Sequence, residues 1–500
     1  MQLSTVMACL SVGAQAVFLL VVVYFALYVL LELRVLFISR RVERRRLSEL
    51  SPAPAAGAEN FSPPVTVLLP ICNEAAVVQR LIDAACRLRY PAGALQILVL
   101  DDSSDATSEL AQATVDAHAA RGIDVRLLRR PQRVDYKAGN LRHGMRQANG
   151  EFVAIFDADF VPPEDFLLQT IPCFSDPALG FLQTGIAYEN RDASFLTRFQ
   201  AMEMGHQQYV TIGLSEDGGM ASLSGSSCVW RRACVEGLGG WNASTVTEDV
   251  DLGYRAQFGD WKYAYLPQVI SLSVLPETVS AFRVQRERWG RGLIHGACKH
   301  VGQMFRQRMP LIQRLHAIST MFSSLLLAAI YLLVLLSLPL NYLLDFGRSG
   351  MPWVAGGFFV LVAIWALDNA FGADRGIRQG VRLDQAASVV RALWDIYRYV
   401  AMFLPMAWYY FAGGLRALGG VHGEFHRTPK GADERQASTP RINRLLFAGE
   451  VFTFIYSVLA IVLAWRQGNY FLVPLNLTVC VGFGMVLHWS WRERRGHAGA

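Results

Sequence analysis

The chain has 500 residues, 52% of them hydrophobic and only 18% charged, an apolar share that excludes an ordinary soluble protein and points to a soluble domain joined to membrane spans. The formal net charge of +6 is modest, and the basic residues gather beside apolar runs ("SRRVERRR", "WRERRG"), which argues against a nucleic-acid partner. The eight cysteines form no CxxC pair or regular framework and read as free thiols.

The first element is an uncharged run, "ACLSVGAQAVFLLVVVYFALYVLL", longer than the about 20 residues that cross a bilayer. No basic segment precedes it and arginines follow it. It therefore reads as an anchor (residues 1–40) with its amino end outside, not as a cleaved signal peptide. Residues 41–64 continue as a basic segment and a Pro/Ala/Ser-rich linker.

From Val65 to about residue 300 the pattern is that of an α/β domain. "VTVLLP", "LQILVLDDSSD", "DVRLLRR" and "FVAIFDADF" read as strands, with helices at "EAAVVQRLIDAACRL" and "ATSELAQATVDAHAARG". Alternation of this kind predicts a mostly parallel sheet covered on both faces, with ligands beyond the carboxyl ends of its strands. Neither GxGxxG after the first strand nor GxxxxGK[ST] occurs, which removes the nicotinamide and P-loop readings.

Residues 301–380 hold two expected spans, near 316–340 and 352–371. Residues 381–432 contain an amphipathic stretch at 395–420, assigned to the membrane interface because a crossing would put the basic loop after it and the basic C-terminal tail on opposite sides. Residues 433–500 add spans near 446–465 and 470–490 and that tail, making five spans in all. Arg283 and Arg306 read as basic flanks of the positive-inside kind. The aromatic residues of the C-terminal half, among them Trp365, Trp408, Tyr409 and Tyr410, read mostly as interface belt or span packing, with a minority open to lining a sugar channel by stacking.

The acids carry the chemistry. Asp101 and Asp102 end one expected strand, Asp157 and Asp159 another, and Glu248 and Asp249 stand at a helix start. Any one pair fits an ordinary turn or helix cap. Two carboxylate clusters at one sheet edge make an oxygen-rich site suited to a hard divalent cation on nucleotide phosphates, and a third carboxylate can act as general base toward a hydroxyl.

The segments "LLPICNE" ending at Glu74, "VLDDSSD" (99–105), "YKAGNL" (136–141), "FDADFVPPEDF" (156–166), "SGSSCVWRRACVEGLGGW" (224–241), "TEDVDLGYR" (247–255) and "QRERWGRG" (285–292) resemble the processive, membrane-embedded family 2 glycosyltransferases of the cellulose-synthase-like kind. "FDADFVPP", "VWRR" and "TEDVDL" are most similar to the A-type enzymes that make mannan and glucomannan.

The resemblance implies a cytosolic GT-A type nucleotide-sugar domain inserted between transmembrane α-helices, in a multi-pass protein of the cytoplasmic (inner) membrane. It implies a donor such as UDP-glucose or GDP-mannose, a growing polysaccharide acceptor, contact with membrane lipid, and Mg²⁺ or Mn²⁺. By residue, it implies that Asn73, Glu74, Asp101 and Asp102 hold the nucleoside, that Lys137 and Asp157 meet the nucleotide, and that Asp159 ligates the metal. Asp249, beside Glu248, would deprotonate the acceptor hydroxyl, so that direct attack on an α-linked donor gives a β-linkage.

Gln285, Arg288 and Trp289 match the family's Q-x-x-R-W motif at the channel mouth, Trp289 facing the acceptor sugar and Arg288 the leaving diphosphate. "GEFHRTPKG" (423–431) resembles the family's gating loop through Phe425, Thr428 and Lys430, with Arg427 where that pattern has Val. The expected function is a processive inverting synthase of a β-linked glycan that also secretes it. The competing readings are a non-processive transferase acting on a lipid acceptor, and a transporter or scaffold with a dead transferase domain; intact acids oppose the last.

Overall fold

The computed structural model describes residues 2–48, 61–222, 224–343, 351–376, 389–419 and 441–498. The gating-loop residues Phe425, Thr428 and Lys430 lie outside the described residues. A long helix, α1 (Gln2–Ser48), opens the chain and carries the anchor through the basic run as one element. The α/β domain follows as β1 (Val65–Ile71), α2 (Val78–Cys86), β2 (Leu95–Asp101), α3 (Thr107–Ala119), β3 (Val125–Arg129), α4 (Tyr136–Met145), β4 (Phe152–Ile155), α5 (Phe166–Thr170), β5 (Leu179–Tyr188), α6 (Phe195–Asp217), β6 (Cys228–Arg231), α7 (Arg232–Gly237), α8 (Glu248–Phe258) and β7 (Lys262–Ser273). The remaining helices are α9 (Val279–Arg306), α10 (Leu311–Met321), α11 (Ser323–Leu343), α12 (Met351–Gly376), α13 (Val389–Leu418), α14 (Arg441–Gln467) and α15 (Val473–Ala498).

The strands form one seven-stranded sheet in the order β3-β2-β1-β4-β6-β5-β7. β1 pairs parallel with β2 and β4, and every residue of β1 is buried, as expected of a strand covered on both faces. Only β6 runs antiparallel to its neighbours, so the sheet is mostly parallel. The run of β-branched and leucine residues in β1 and β2 fills the core with Val67, Leu69, Ile97 and Val99. All eight cysteines are unbonded; Cys228 is buried in β6, and burial pushes its thiol up to about 12.

Among the described residues, five helical segments are long and apolar enough to cross a membrane: Cys9–Arg45, Ser323–Leu340, Trp353–Ala370, Ile442–Gln467 and Val473–Arg495. They match the five expected from the sequence, and α13 is not among them. It packs instead against α9, α11 and α15. The α9–α13 crossing is close because both helices present glycine. A Cβ on Gly290 would lie 2.8 Å from the Tyr410 Cα, and one on Gly413 would lie 2.5 Å from the Glu287 carbonyl oxygen.

Arg283 corrects a sequence reading. It is 3% exposed, and its guanidinium donates to both Glu450 oxygens at 2.5 and 2.6 Å, while Tyr409 donates to the same carboxylate at 2.6 Å. A basic flank would face headgroups. This arginine instead ties α9 to α13 and α14, and Tyr409 is part of that tie rather than of an interface belt.

Candidate active site

The loops after β1 and β2 are stitched together before any ligand is considered. Asn73 adopts a left-handed backbone (φ 54°), its N–H donates to Ser103 Oγ at 2.9 Å, and its Oδ1 accepts from the Ser104 N–H at 2.8 Å. Asp101 is sealed by the Ser103 N–H at 2.8 Å, Ser108 Oγ at 2.6 Å and Arg129 at 3.3 Å. Neither Asn73 nor Asp101 lines the main cavity, whereas their neighbours Glu74 and Asp102 do. The first two build the shelf that holds the second two.

Asp102 is gripped through both oxygens by Arg130, at 2.7 and 2.6 Å, in the fork geometry that makes such pairs strong and directional. Arg130 also donates to the Tyr136 carbonyl at 2.9 Å, which fixes the start of α4 and so the root of Lys137. The Lys137 ammonium lies 2.7 Å from Asp157 Oδ1 and 3.6 Å from Glu248 Oε1, and donates to the Gly225 carbonyl at 3.2 Å. Burial alone would make it easier to deprotonate, but the carboxylates of Asp157, Glu248 and Asp249 outweigh that and hold it above its ordinary value.

Asp157 and Asp159 follow β4, where the Asp157 N–H donates to Ser226 Oγ at 2.9 Å and Asp159 Oδ2 accepts from Ser273 Oγ. Across from them α8 begins with Glu248, buried, and Asp249, half-buried. Burial, and then the neighbouring Glu248 carboxylate, push the Asp249 carboxyl up to about 7, with Lys137 opposing. That value suits a base working near neutral pH.

Two residues on, Asp251 pins α8 to α9. Its carboxylate, wholly buried, accepts from Lys299 at 2.5 Å, His300 at 2.9 Å and Arg255 at 2.8 Å. Although burial opposes ionisation, these donors hold the Asp251 carboxyl well below the usual range. This clamp brings Gln285, Arg288 and Trp289 of α9 to the wall of the same cavity, about 590 Å³ in volume, that Glu74, Asp102, Lys137, Asp157, Asp159, Glu248 and Asp249 line. The cavity continues between the apolar helices, past Phe25 of α1, Ile330 of α11 and Trp365 of α12.

The residues fit a divalent cation shared with a ligand. Among the described residues no group of three or more His, Cys, Asp or Glu would hold an ion alone. Two carboxylates on a cavity wall, Asp157 with 34% side-chain exposure and Asp159, suit a small hard cation that takes its remaining ligands from phosphates and water.

Gly225 sits directly beneath Asp249. Its φ is +70°, and an added Cβ would lie 2.2 Å from Asp249 Oδ2 and 2.7 Å from the Asp249 Cβ. Gly225→Ala is expected to displace the carboxylate and lower turnover at least about tenfold, the equivalent of about 1.4 kcal/mol, and to lower the thermal midpoint as well, because an L side chain at this positive φ is strained. Turnover at the wild-type rate would show that the Asp249 position is not critical.

A family model described as "Glycosyltransferase like family 2" matches residues 63–292. The chain carries a family 2 glycosyltransferase domain. It is 40% identical over 247 residues to a probable glucomannan 4-beta-mannosyltransferase 6 of Oryza sativa subsp. japonica, covering 47% of this chain and 42% of that one. It is 37% identical over 259 residues to glucomannan 4-beta-mannosyltransferase 2 of Arabidopsis thaliana, covering 50% and 48%. The matches thus span about half the length of these relatives. The fold is shared, at 18% identity and a TM-score of 0.52, with a mannosyltransferase from Pyrobaculum calidifontis solved in complex with GDP-Man and Mn²⁺, covering 83% of this chain and all of that one.

Around the family 2 domain lie residues that sequence reasoning missed. Arg286 of α9 is 1% exposed, pairs with Glu203 of α6 at 2.8 and 2.7 Å, and lays its guanidinium 4.4 Å from the Trp289 ring centroid. Its spacing of three from Trp289 on a helix was the available signal. Glu203 belongs to no motif. Trp365 and Tyr410 line the cavity, which puts them in the minority of C-terminal aromatics that the sequence left open to that place.

Proposed function

We propose that this protein is a processive inverting glycosyltransferase that builds a β-linked glucan, mannan or glucomannan from a nucleotide sugar and passes it through its own membrane helices. The observation that carries the reading is the single cavity shared by the three carboxylate clusters, the Gln285-Arg288-Trp289 face and the apolar helices. The similarity to glucomannan mannosyltransferases supports a mannosyl or glucosyl donor. The proposed setting is the cytoplasmic membrane, with residues 65–300 in the cytosol and the proposed domain limits as read from the sequence.

In this mechanism Asp102 and Glu74 face the nucleoside, and Lys137 and Arg288 face the diphosphate, where negative charge grows as the bond to the sugar breaks. Asp157 and Asp159 would hold Mg²⁺ or Mn²⁺, which neutralises phosphate charge when bound. Trp289 supports the terminal acceptor sugar, and Asp249 takes the proton from its hydroxyl as that oxygen attacks the anomeric carbon from the face opposite the diphosphate. One displacement inverts the configuration, and no covalent enzyme intermediate forms. A lipid acceptor is the second reading.

The pH dependence follows from the raised Asp249 carboxyl. The base works deprotonated, so kcat/KM is expected to rise with pH, approaching tenfold per unit, and to level off above about 7. A flat profile between about pH 5.5 and 8 would remove Asp249 from the role. Identity is tested by giving the purified protein in lipid Mg²⁺ or Mn²⁺ with radiolabelled UDP-glucose or GDP-mannose. A product cut by a linkage-specific glucanase or mannanase supports the synthase, and label appearing as one glycolipid supports the second reading.

A further inference from the structure

Away from the catalytic acids, four buried titratable side chains meet where the cavity enters the apolar helices. Glu32 of α1 lies 3.6 Å from His206 of α6 and 3.5 Å from His316 of α10, and His206 lies 3.8 Å from Asp368 of α12. All are at most 8% exposed. At 3.5 to 3.8 Å these contacts are long for hydrogen bonds and leave part of each group's bonding capacity unused. His206 Nδ1, His316 Nε2 and Asp368 Oδ1 have no hydrogen-bond partner among the described residues. Glu32 and Asp368 both fall within candidate spans, where an ionisable side chain is costly and marks a ligand path by default.

Glu32 and His206 stand on the wall of the same cavity as Asp249, with Tyr28, Asn369, Phe25 and Trp365 around them, while His316 and Asp368 back them from behind. We propose that Glu32 and His206 form a hydroxyl-binding collar for the sugar chain leaving the catalytic site, a subsite for β-linked hexopyranosyl units. The inference rests on the proposed function and deepens it. A carboxylate accepts from two neighbouring hydroxyls, and an imidazole gives or takes a third hydrogen bond. Aromatic rings offer flat apolar faces to the C–H face of a pyranose. An acyl or polyprenyl chain would satisfy none of these polar atoms, and burying them beside hydrocarbon without partners is unfavourable. The collar therefore fits a polyol and not a lipid tail.

The test uses the full chain in lipid nanodiscs, with β-1,4-mannohexaose and cellohexaose as probes. Glu32→Gln and His206→Asn are expected to weaken binding of the preferred oligosaccharide about tenfold and to shift the polymer toward shorter chains. In the wild type the same oligosaccharide is expected to slow carbodiimide modification of Glu32, read by mass spectrometry, several-fold; this measurement decides the matter if both variants fail to fold. Polymer of wild-type length from both variants, together with unprotected Glu32, would overturn the collar and leave the synthase standing. A single glycolipid as the wild-type product would overturn both.

Discussion

Asp249→Asn is expected to lower the transfer rate about 10²–10⁴-fold, the usual loss when a positioned general base is removed, with nucleotide binding nearly unchanged. The asymmetry follows from the site. Lys137 is anchored by Asp157 at 2.7 Å and by the Gly225 carbonyl, so the cation proposed to meet the nucleotide keeps its place when Asp249 becomes neutral. The substitution keeps shape and a hydrogen-bond acceptor for the Val250 N–H, which now reaches Asp249 Oδ1 at 2.8 Å. What disappears is the ability to take a proton. The measurement is initial rate against donor concentration, with nucleotide affinity by calorimetry. A loss confined to affinity would place Asp249 in donor binding, and a wild-type rate would transfer the base role to Glu248.

Much of the site was legible because its chemistry is written in short local motifs. The strands ending at Asp101 and before Asp157 are continuous apolar runs closed by acids, and a parallel sheet brings such ends to one edge whatever the loops do. Sequence did not separate Asp101 from Asp102. Asp101 is the last residue of β2 and turns inward to Ser108, whereas Asp102 begins the loop after the strand and reaches Arg130 and the cavity. Nor did it reveal β5, β6 and β7, of which β6 is only four residues long and β5 and β7 meet through shifted register. Arg283 was misread because a basic residue near an apolar run looks the same whether it faces headgroups or a buried Glu450 more than 160 positions away, a pairing that only tertiary structure creates. The collar of Glu32 and His206 was invisible for the same reason, since its members lie on separate helices.

The second large effect is expected from the Glu203–Arg286 pair. Arg286 is all but enclosed by Phe282, Trp289 and Glu203, with its guanidinium 5.0 Å from the Phe282 ring centroid and 4.4 Å from that of Trp289. Glu203→Ala leaves that charge buried without its counter-ion, a change that typically costs about 3–5 kcal/mol. Thermal unfolding in detergent should therefore fall by many degrees. Replacing both members by apolar groups of similar volume, Glu203→Leu with Arg286→Met, should recover most of the lost stability, because breaking such a pair costs more than never having it. The two variants then separate stability from function. In the double variant the Trp289 ring keeps its packing but loses the cation above it, so acceptor KM should rise while donor affinity holds. Full stability in Glu203→Ala would mean that water reaches Arg286 and that α6 does not help to hold the proposed acceptor face.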